Sequence, residues 1–238
     1  AVLPLNAQPI RRERIRIGQI GLAHPHASGK LNAIRSLQDT YELVGVVETN
    51  PSLRKKAKGV DFISLEKLMN TQGLKAVAIE THVKDLVSTA MPIIEAGKHI
   101  HLDKPAGPKL EPFEKLLASA KKQKLCVQMG YMLRYNPAFE FMFNAVRKDW
   151  FGEIMEIDAM MGKKANASMR KELAVYSGGG FFELACHILD AAIYILGKPE
   201  AVHGFNLRTH KTNGDTFADN QLAVLKYKNA TACLRCNH

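Results

Sequence analysis

The sequence predicts an α/β fold in two parts: a parallel sheet with crossover helices over residues 1–131, and an α+β unit with a mostly antiparallel, open sheet over residues 132–238. Three observations predict it. In the first part, apolar runs of strand length alternate with amphipathic helical stripes, and such alternation means βαβ units wound right-handedly around one sheet. Beyond residue 131 the rhythm changes to strand-like runs gathered beside one long apolar helix. The composition, 46% hydrophobic and 24% charged in 238 residues, is that of a globular chain large enough for a sizeable core in one large domain or two small ones.

Each element has its own signal. Short aliphatic runs bounded by polar or turn residues predict strands over 15–20, 41–47, 76–79, 99–102 and 125–129. Helices fill the gaps. One is expected over 28–37; Asn50 before Pro51 offers an N-cap and a proline at the first helical position, and Ser64 starts another short helix. Leu86, Val87, Ala90, Met91 and Ile94 trace a stripe ending at Gly97, and Phe113, Leu116, Leu117 and Ala120 give one more. This is a Rossmann-like order. In the second part a helix is expected over 137–146, a strand over 153–161, a polar loop, a long helix over 180–196, and strands over 202–207, 221–227 and 231–235. The sheet breaks off at His238, so a short or truncated chain is expected, with its last strands needing an edge partner.

Bulk properties exclude some roles. The formal charge of +10 is dispersed over Arg11 to Arg16, Arg54 to Lys58, Lys121 to Lys124, Lys163-Lys164 and Arg170-Lys171, with no aromatic-interleaved basic stripe, so no nucleic-acid partner is expected. No apolar run approaches the ~20 residues of a membrane-spanning helix, and residues 1 to 13 lack a signal-peptide profile. No membrane partner is expected. A cytoplasmic home is favoured, and a first residue other than methionine leaves a mature exported form open. Of the four cysteines, Cys126 and Cys186 read as core, and Cys233 and Cys236 as strand residues with the spacing of half a metal site but no companion pair.

Two segments carry chemistry. In His101-Leu102-Asp103-Lys104-Pro105 a lysine before a proline, at the end of an apolar strand, is pinned rather than free in solvent. In Gly178-Gly179-Gly180-Phe181-Phe182-Glu183-Leu184-Ala185-Cys186-His187, Glu183 and His187 stand four apart in a helical pattern, so they share a face and can converge on Lys104 as an acid/base centre. With Ile17-Gly18-Gln19-Ile20-Gly21 ahead of them, Glu95-Ala96-Gly97-Lys98-His99 leading into the lysine, and Gly130 through Pro137 between, these motifs resemble the Gfo/Idh/MocA family of NAD(P)-dependent sugar and polyol oxidoreductases over nearly the whole chain.

A dinucleotide site needs a strand, a glycine turn and a helix N-terminus, because backbone without side chains lets a pyrophosphate reach the helix amides. Here Gly21 keeps the first glycine of G-x-G-x-x-G, while Ala23 replaces the second and His26 the third. Glu48 ends the second strand, where a carboxylate accepts hydrogen bonds from ribose hydroxyls and repels a 2′-phosphate; NAD is therefore favoured over NADP, which Arg54, Lys55 and Lys56 leave open. His24 and His26 are expected to line the cofactor site, as is Thr81 at a strand end, and no metal site is expected because no nearby cysteine or carboxylate completes a ligand set.

The resemblance implies that His187 accepts the proton, that Lys104 binds the reacting oxygen, supports proton transfer and contacts the cofactor, and that Glu183 orients or tunes them. The family usually has aspartate where Glu183 stands and glutamate where Asp103 stands. Arg134, Tyr135, Asn136, Lys163 and Tyr176 are candidate contacts for a small sugar-like substrate. Asp190 is expected to be a structural partner and Asp103 to support the Lys104 loop. The implied activity is hydride transfer between a nicotinamide cofactor and a sugar, polyol or related hydroxy compound. A redox-neutral, NAD-retaining hydrolase or lyase and a non-catalytic ligand-binding or regulatory relative are the alternatives. In the family such open sheets pair across subunits, which implies a homodimer or homotetramer.

Overall fold

Five short parallel strands carry the first unit: β1 (Ile15–Ile20), β2 (Tyr41–Val47), β3 (Leu74–Ile79), β4 (His99–Leu102) and β5 (Val127–Met129), side by side in the order β2-β1-β3-β4-β5. Between them run α1 (Ala27–Ser36), α2 (Pro51–Arg54), α3 (Leu65–Met69), α4 (Leu86–Glu95) and α5 (Leu110–Lys122). The structure is a computed structural model that describes residues 13–210 and 214–238. The basic lead-in before residue 13 lies outside the described residues. The chain divides into two units, the first ending at Met129 and the second beginning at Gly130.

Local chemistry explains the helix starts. Asn50 accepts a hydrogen bond from the Ser52 N–H, with Pro51 beside it, and the Ser64 hydroxyl accepts one from the Lys67 N–H at 3.0 Å. The strands bury Val77, Ile79, Ile100 and Leu102 against Leu86, Ala90, Ile93, Ile94 and Leu116, while Leu22, Ala27, Leu31 and Val46 form a second cluster. Fully burying each of the valine, leucine and isoleucine side chains contributes about 1.5–3 kcal/mol. Register then sets the site. Ile20 lies opposite Ile79 and Ile79 opposite Leu102, so the residues that follow them, Gly21, Glu80 and Asp103, share the carboxyl edge of the sheet. The chain reverses direction across the sheet between β1 and β3, which is where open α/β sheets bind ligands.

The second unit contains α6 (Pro137–Arg147), β6 (Glu156–Gly162), α7 (Ala167–Leu173), α8 (Cys186–Leu196), β7 (Ala201–Leu207), β8 (Asn220–Lys226) and β9 (Thr231–Asn237). Its sheet runs β6-β9-β8-β7; β8 is antiparallel to both neighbours and β6 parallel to β9. Period-two alternation buries Ala223 and Leu225 of β8 and Ala232, Leu234 and Cys236 of β9 in one cluster with Ile188, Ala191 and Ala192 of α8. Phe205, Leu222, Arg235 and Met160 form one row across the other face, with Phe205 and Met160 strongly exposed.

Four expectations need correction. β6 begins at Glu156 rather than 153. The expected polar loop contains α7, capped by the Asn166 side chain on the Met169 N–H and anchored by buried Arg170 and Leu173. The long helix is not uniform: Phe181–Ala185 is a π-helical turn ahead of α8, where the Gln221 side chain takes the Phe181 N–H at 2.7 Å and interrupts the ladder. Cys126 is exposed rather than core, because β5 is an edge strand and the Cys126 N–H is donated to His99 Nδ1. Among the described residues, no helix is long and apolar enough to cross a membrane.

Candidate active site

In the first unit the chain leaves β1 through Gly21, whose φ of +90° places it where side chains are strained; a Cβ there would lie 2.8 Å from the Glu80 carbonyl. Next, the Leu22 N–H donates to Glu48 Oε2 at 2.9 Å, and Glu48 Oε1 accepts from the Asn50 N–H at 2.8 Å. The carboxylate thus joins the turn after β1 to the turn after β2. It keeps further lone pairs for other donors. Ala23 is half-buried, and no side chain caps the start of α1. His26, where a fingerprint has its third glycine, is exposed and places Nδ1 3.1 Å from Asp103 Oδ1 instead of filling the helix–strand contact. Glycine turn, uncapped helix start and strand-end carboxylate fit an anionic dinucleotide.

Lys104 follows β4 and is only 2% exposed. Its N–H donates to Asp103 Oδ1 at 2.6 Å, its carbonyl lies 3.2 Å from His24 Nε2, and the Lys104–Pro105 peptide is cis. Asp103 therefore does support the lysine's backbone. Thr81 is half-buried with its hydroxyl on the His82 carbonyl at 3.4 Å. Around them lies a polar cluster that sequence reading did not find: Glu80 is fully buried, with His24 Nδ1 and His101 Nε2 each 3.7 Å from one of its oxygens. Burial, with the neighbouring Asp103 charge, pushes the Glu80 carboxyl up to about 8. Burial lowers His101 to about 4 and also lowers His24. Burial would raise Asp103, but the hydrogen bond from His26 and the adjacent imidazoles outweigh it and hold it well below the usual carboxylate range.

In the second unit, His187 is buried on α8 with the Tyr131 ring edge-on at 6.2 Å between centroids. Burial pushes the Tyr131 hydroxyl up to about 12, so it stays a neutral neighbour. Glu183 sits in the π turn, paired with Lys163 at 2.6 Å. Two residues read separately in the sequence are thus one ion pair. Arg134 is bidentate to Asp190, at 2.7 Å through each nitrogen, and its guanidinium lies 4.7 Å from the Tyr194 ring centre. Asn136 caps α6 by accepting from the Ala138 N–H, Tyr135 is exposed, and the Tyr176 ring lies 5.1 Å from that of Phe182. Sequence reading missed Tyr131, which follows directly from the Gly130 turn, and the Arg170 pairs with Asp215 and Asp219 at 2.5 and 2.9 Å.

A glycine turn at the switch point of a five-stranded parallel sheet, with a buried lysine at the end of β4, defines a Rossmann-like unit. Residues 15–131 match the oxidoreductase family with an NAD-binding Rossmann fold, and residues 139–238 match the GFO/IDH/MocA C-terminal domain. The chain belongs to the Gfo/Idh/MocA family. It is 27% identical over 176 residues to the uncharacterized oxidoreductase YhhX of Escherichia coli, covering 73% of this chain and 50% of YhhX. It is 28% identical over 132 residues to scyllo-inositol 2-dehydrogenase (NAD(+)) of Bacillus subtilis, covering 55% of this chain and 38% of that enzyme. The chain spans about half the length of the curated relatives it matches. Its fold is that of the WlbA dehydrogenase from Chromobacterium violaceum, solved in complex with NADH and UDP-GlcNAcA, at a TM-score of 0.80 and 19% identity over 96% of this chain and 68% of that one.

Proposed function

We propose that this protein is an NAD-dependent oxidoreductase acting on a sugar, polyol or related hydroxy compound. The observation that carries the reading is a buried lysine, Lys104, at the carboxyl edge of an NAD-binding-type sheet, with β3 between its strand and that of the Gly21 turn. The scyllo-inositol dehydrogenase of Bacillus subtilis, similar over 55% of this chain and 38% of that enzyme, supports the polyol class.

Gly21, Ala23, the start of α1 and Glu48 hold the dinucleotide, and the Glu48 carboxylate favours NAD by repelling a 2′-phosphate. Bound nicotinamide supplies the hydride acceptor or donor. Lys104 holds the reacting oxygen and stabilises negative charge developing on it, while His187 takes the hydroxyl proton. Glu183, neutralised by Lys163, orients the histidine's surroundings rather than accepting the proton itself. Thr81, His24 and His26 border the dinucleotide, and Arg134, Tyr135 and Tyr176 offer donors to a polyhydroxy substrate. Asn136, committed to its helix, contributes through the backbone turn it holds. We further propose a small sugar-like molecule as the substrate, and a homodimer or homotetramer formed through the sheet of the second unit.

Replacing Lys104 with methionine tests the assignment. Turnover of the best substrate from a sugar and polyol screen falls by at least the 10²–10⁴-fold typical of a lost proton-transfer or oxyanion group, roughly, while NADH affinity is retained. An unchanged kcat sinks it.

A further inference from the structure

The buried cluster beside the glycine turn sets two carboxyl groups side by side. His101, on β4, and Asp103, just past its end, are two residues apart and so face the same side of the sheet; Ala78 pairs with His101 on the adjacent β3, which puts Glu80 on that side as well. Glu80 is fully buried and Asp103 is 1% exposed. Neither Glu80 oxygen receives an N–H or O–H from a donor among the described residues, and the hydrogen-bonding partner of Glu80 is the Asp103 carboxyl. An ionised carboxylate only accepts, so two carboxyl groups bond to each other only when one of them carries a proton.

The surroundings decide where that proton sits. Asp103 Oδ1 takes the Lys104 N–H at 2.6 Å and lies 3.1 Å from His26 Nδ1, so protein donors stabilise its charge. Glu80 has no such donors. His24, in the loop ahead of α1, is committed elsewhere: its Nδ1 accepts the His26 N–H at 3.2 Å, which leaves the ring hydrogen on Nε2 to bond the Lys104 carbonyl at 3.2 Å. His101 Nε2 stands 3.7 Å from Glu80 Oε1, too far for a hydrogen bond, and burial keeps both imidazoles neutral at pH 7. The charge of Lys30 on α1 favours ionised Glu80, but burial and the Asp103 anion outweigh it. The proton therefore belongs to Glu80.

We infer that Glu80 is a positioning residue for Lys104: held as a neutral carboxylic acid, it donates its O–H to Asp103 and so fixes the carboxylate that holds the Lys104 N–H. The inference rests on the reading of Lys104 as the group that binds the reacting oxygen. Ionising Glu80 replaces the hydrogen bond by two adjacent buried anions, which repel, and the carboxylate beneath Lys104 loses its support. A displacement of about 1 Å in a group that positions a reacting atom costs up to roughly 10²-fold in rate. Glutamine at position 80 offers an N–H in place of the O–H and cannot ionise; leucine, of similar volume, offers no donor.

Two titrations of the full chain test this without turnover. Infrared difference spectra are expected to show a protonated-carboxyl stretch at neutral pH that fades with a midpoint of about 8 and is missing from Glu80→Gln. In ¹⁵N-lysine-labelled protein the Lys104 amide resonance follows the same midpoint and holds still in Glu80→Gln. A Glu80 already ionised at neutral pH, or a Lys104 resonance that ignores its titration, overturns the proposal. Turnover reads the consequence. At neutral pH Glu80→Gln keeps most of the wild-type kcat, whereas Glu80→Leu loses about 10²-fold with NADH affinity retained; an undiminished kcat in Glu80→Leu overturns the positioning role. If Glu80→Leu does not fold, the ratio of wild-type to Glu80→Gln kcat decides: it falls as pH rises through about 8, and a constant ratio overturns the role. A wild type that turns over no sugar or polyol refutes the functional reading instead, and the two titrations then decide this proposal by themselves.

Discussion

At the scale of single residues, the first unit turns on Gly21. Its left-handed backbone and the 2.8 Å approach to Glu80 leave no room for a side chain. Gly21→Val is expected to cost about 1–3 kcal/mol in backbone strain alone, more once β3 is displaced, and to abolish dinucleotide binding; urea unfolding and NADH titration of the variant measure the two effects. Native stability with intact binding would mean that the turn does not set the loop. This glycine was legible in the sequence, as were the Lys104 motif and the strand-end position of Glu48, because each is a local pattern on one element. The exposed imidazole of His26 was not, since a fingerprint read by position assumes that its third residue packs inward. Glu80 was illegible for another reason: it acquires its neighbours only through parallel register with β4.

Element by element, boundaries set by caps were readable and those set by distant partners were not. Ser64 and Asn50 announce α3 and α2 through their own side chains. α7 and the π turn depend on Arg170 and Gln221, whose partners lie 45 and 40 residues away. Arg170 fastens α7 to the segment before β8. Burial would raise the Asp219 carboxyl, but the Thr209 and His210 N–H groups and the Arg170 guanidinium hold it well below the usual range; the Phe217 N–H and then Arg170 also lower Asp215. A carboxylate depressed in the folded state adds stability above its unfolded pKa of about 4, and that stability fades as pH falls toward the folded value. Arg170→Ala leaves a buried carboxylate uncompensated and should cost about 3–5 kcal/mol at pH 7. The deficit should shrink below about pH 4, where protonation relieves the lone Asp219. Denaturant unfolding of both proteins at the two pH values reads this directly, and a deficit independent of pH would show that Arg170 acts through packing rather than charge.

For the whole molecule, the order of strands and helices carried the fold class through two different architectures, since the change from alternating to clustered strands is a property of the pattern and not of any residue. Function follows less directly, because one scaffold serves many substrates and the loops that choose among them follow no period. The central claim is that the altered glycine turn still holds a dinucleotide and that Glu48 reads its ribose. Calorimetric titration of the purified chain with NADH and with NADPH tests it most directly. Saturable NADH binding at one site per chain, at least tenfold tighter than NADPH and weakened by Glu48→Ala, is the result expected. Absence of binding by either nucleotide, in protein shown to be folded, would contradict it and leave Lys104, Glu183 and His187 without a redox partner.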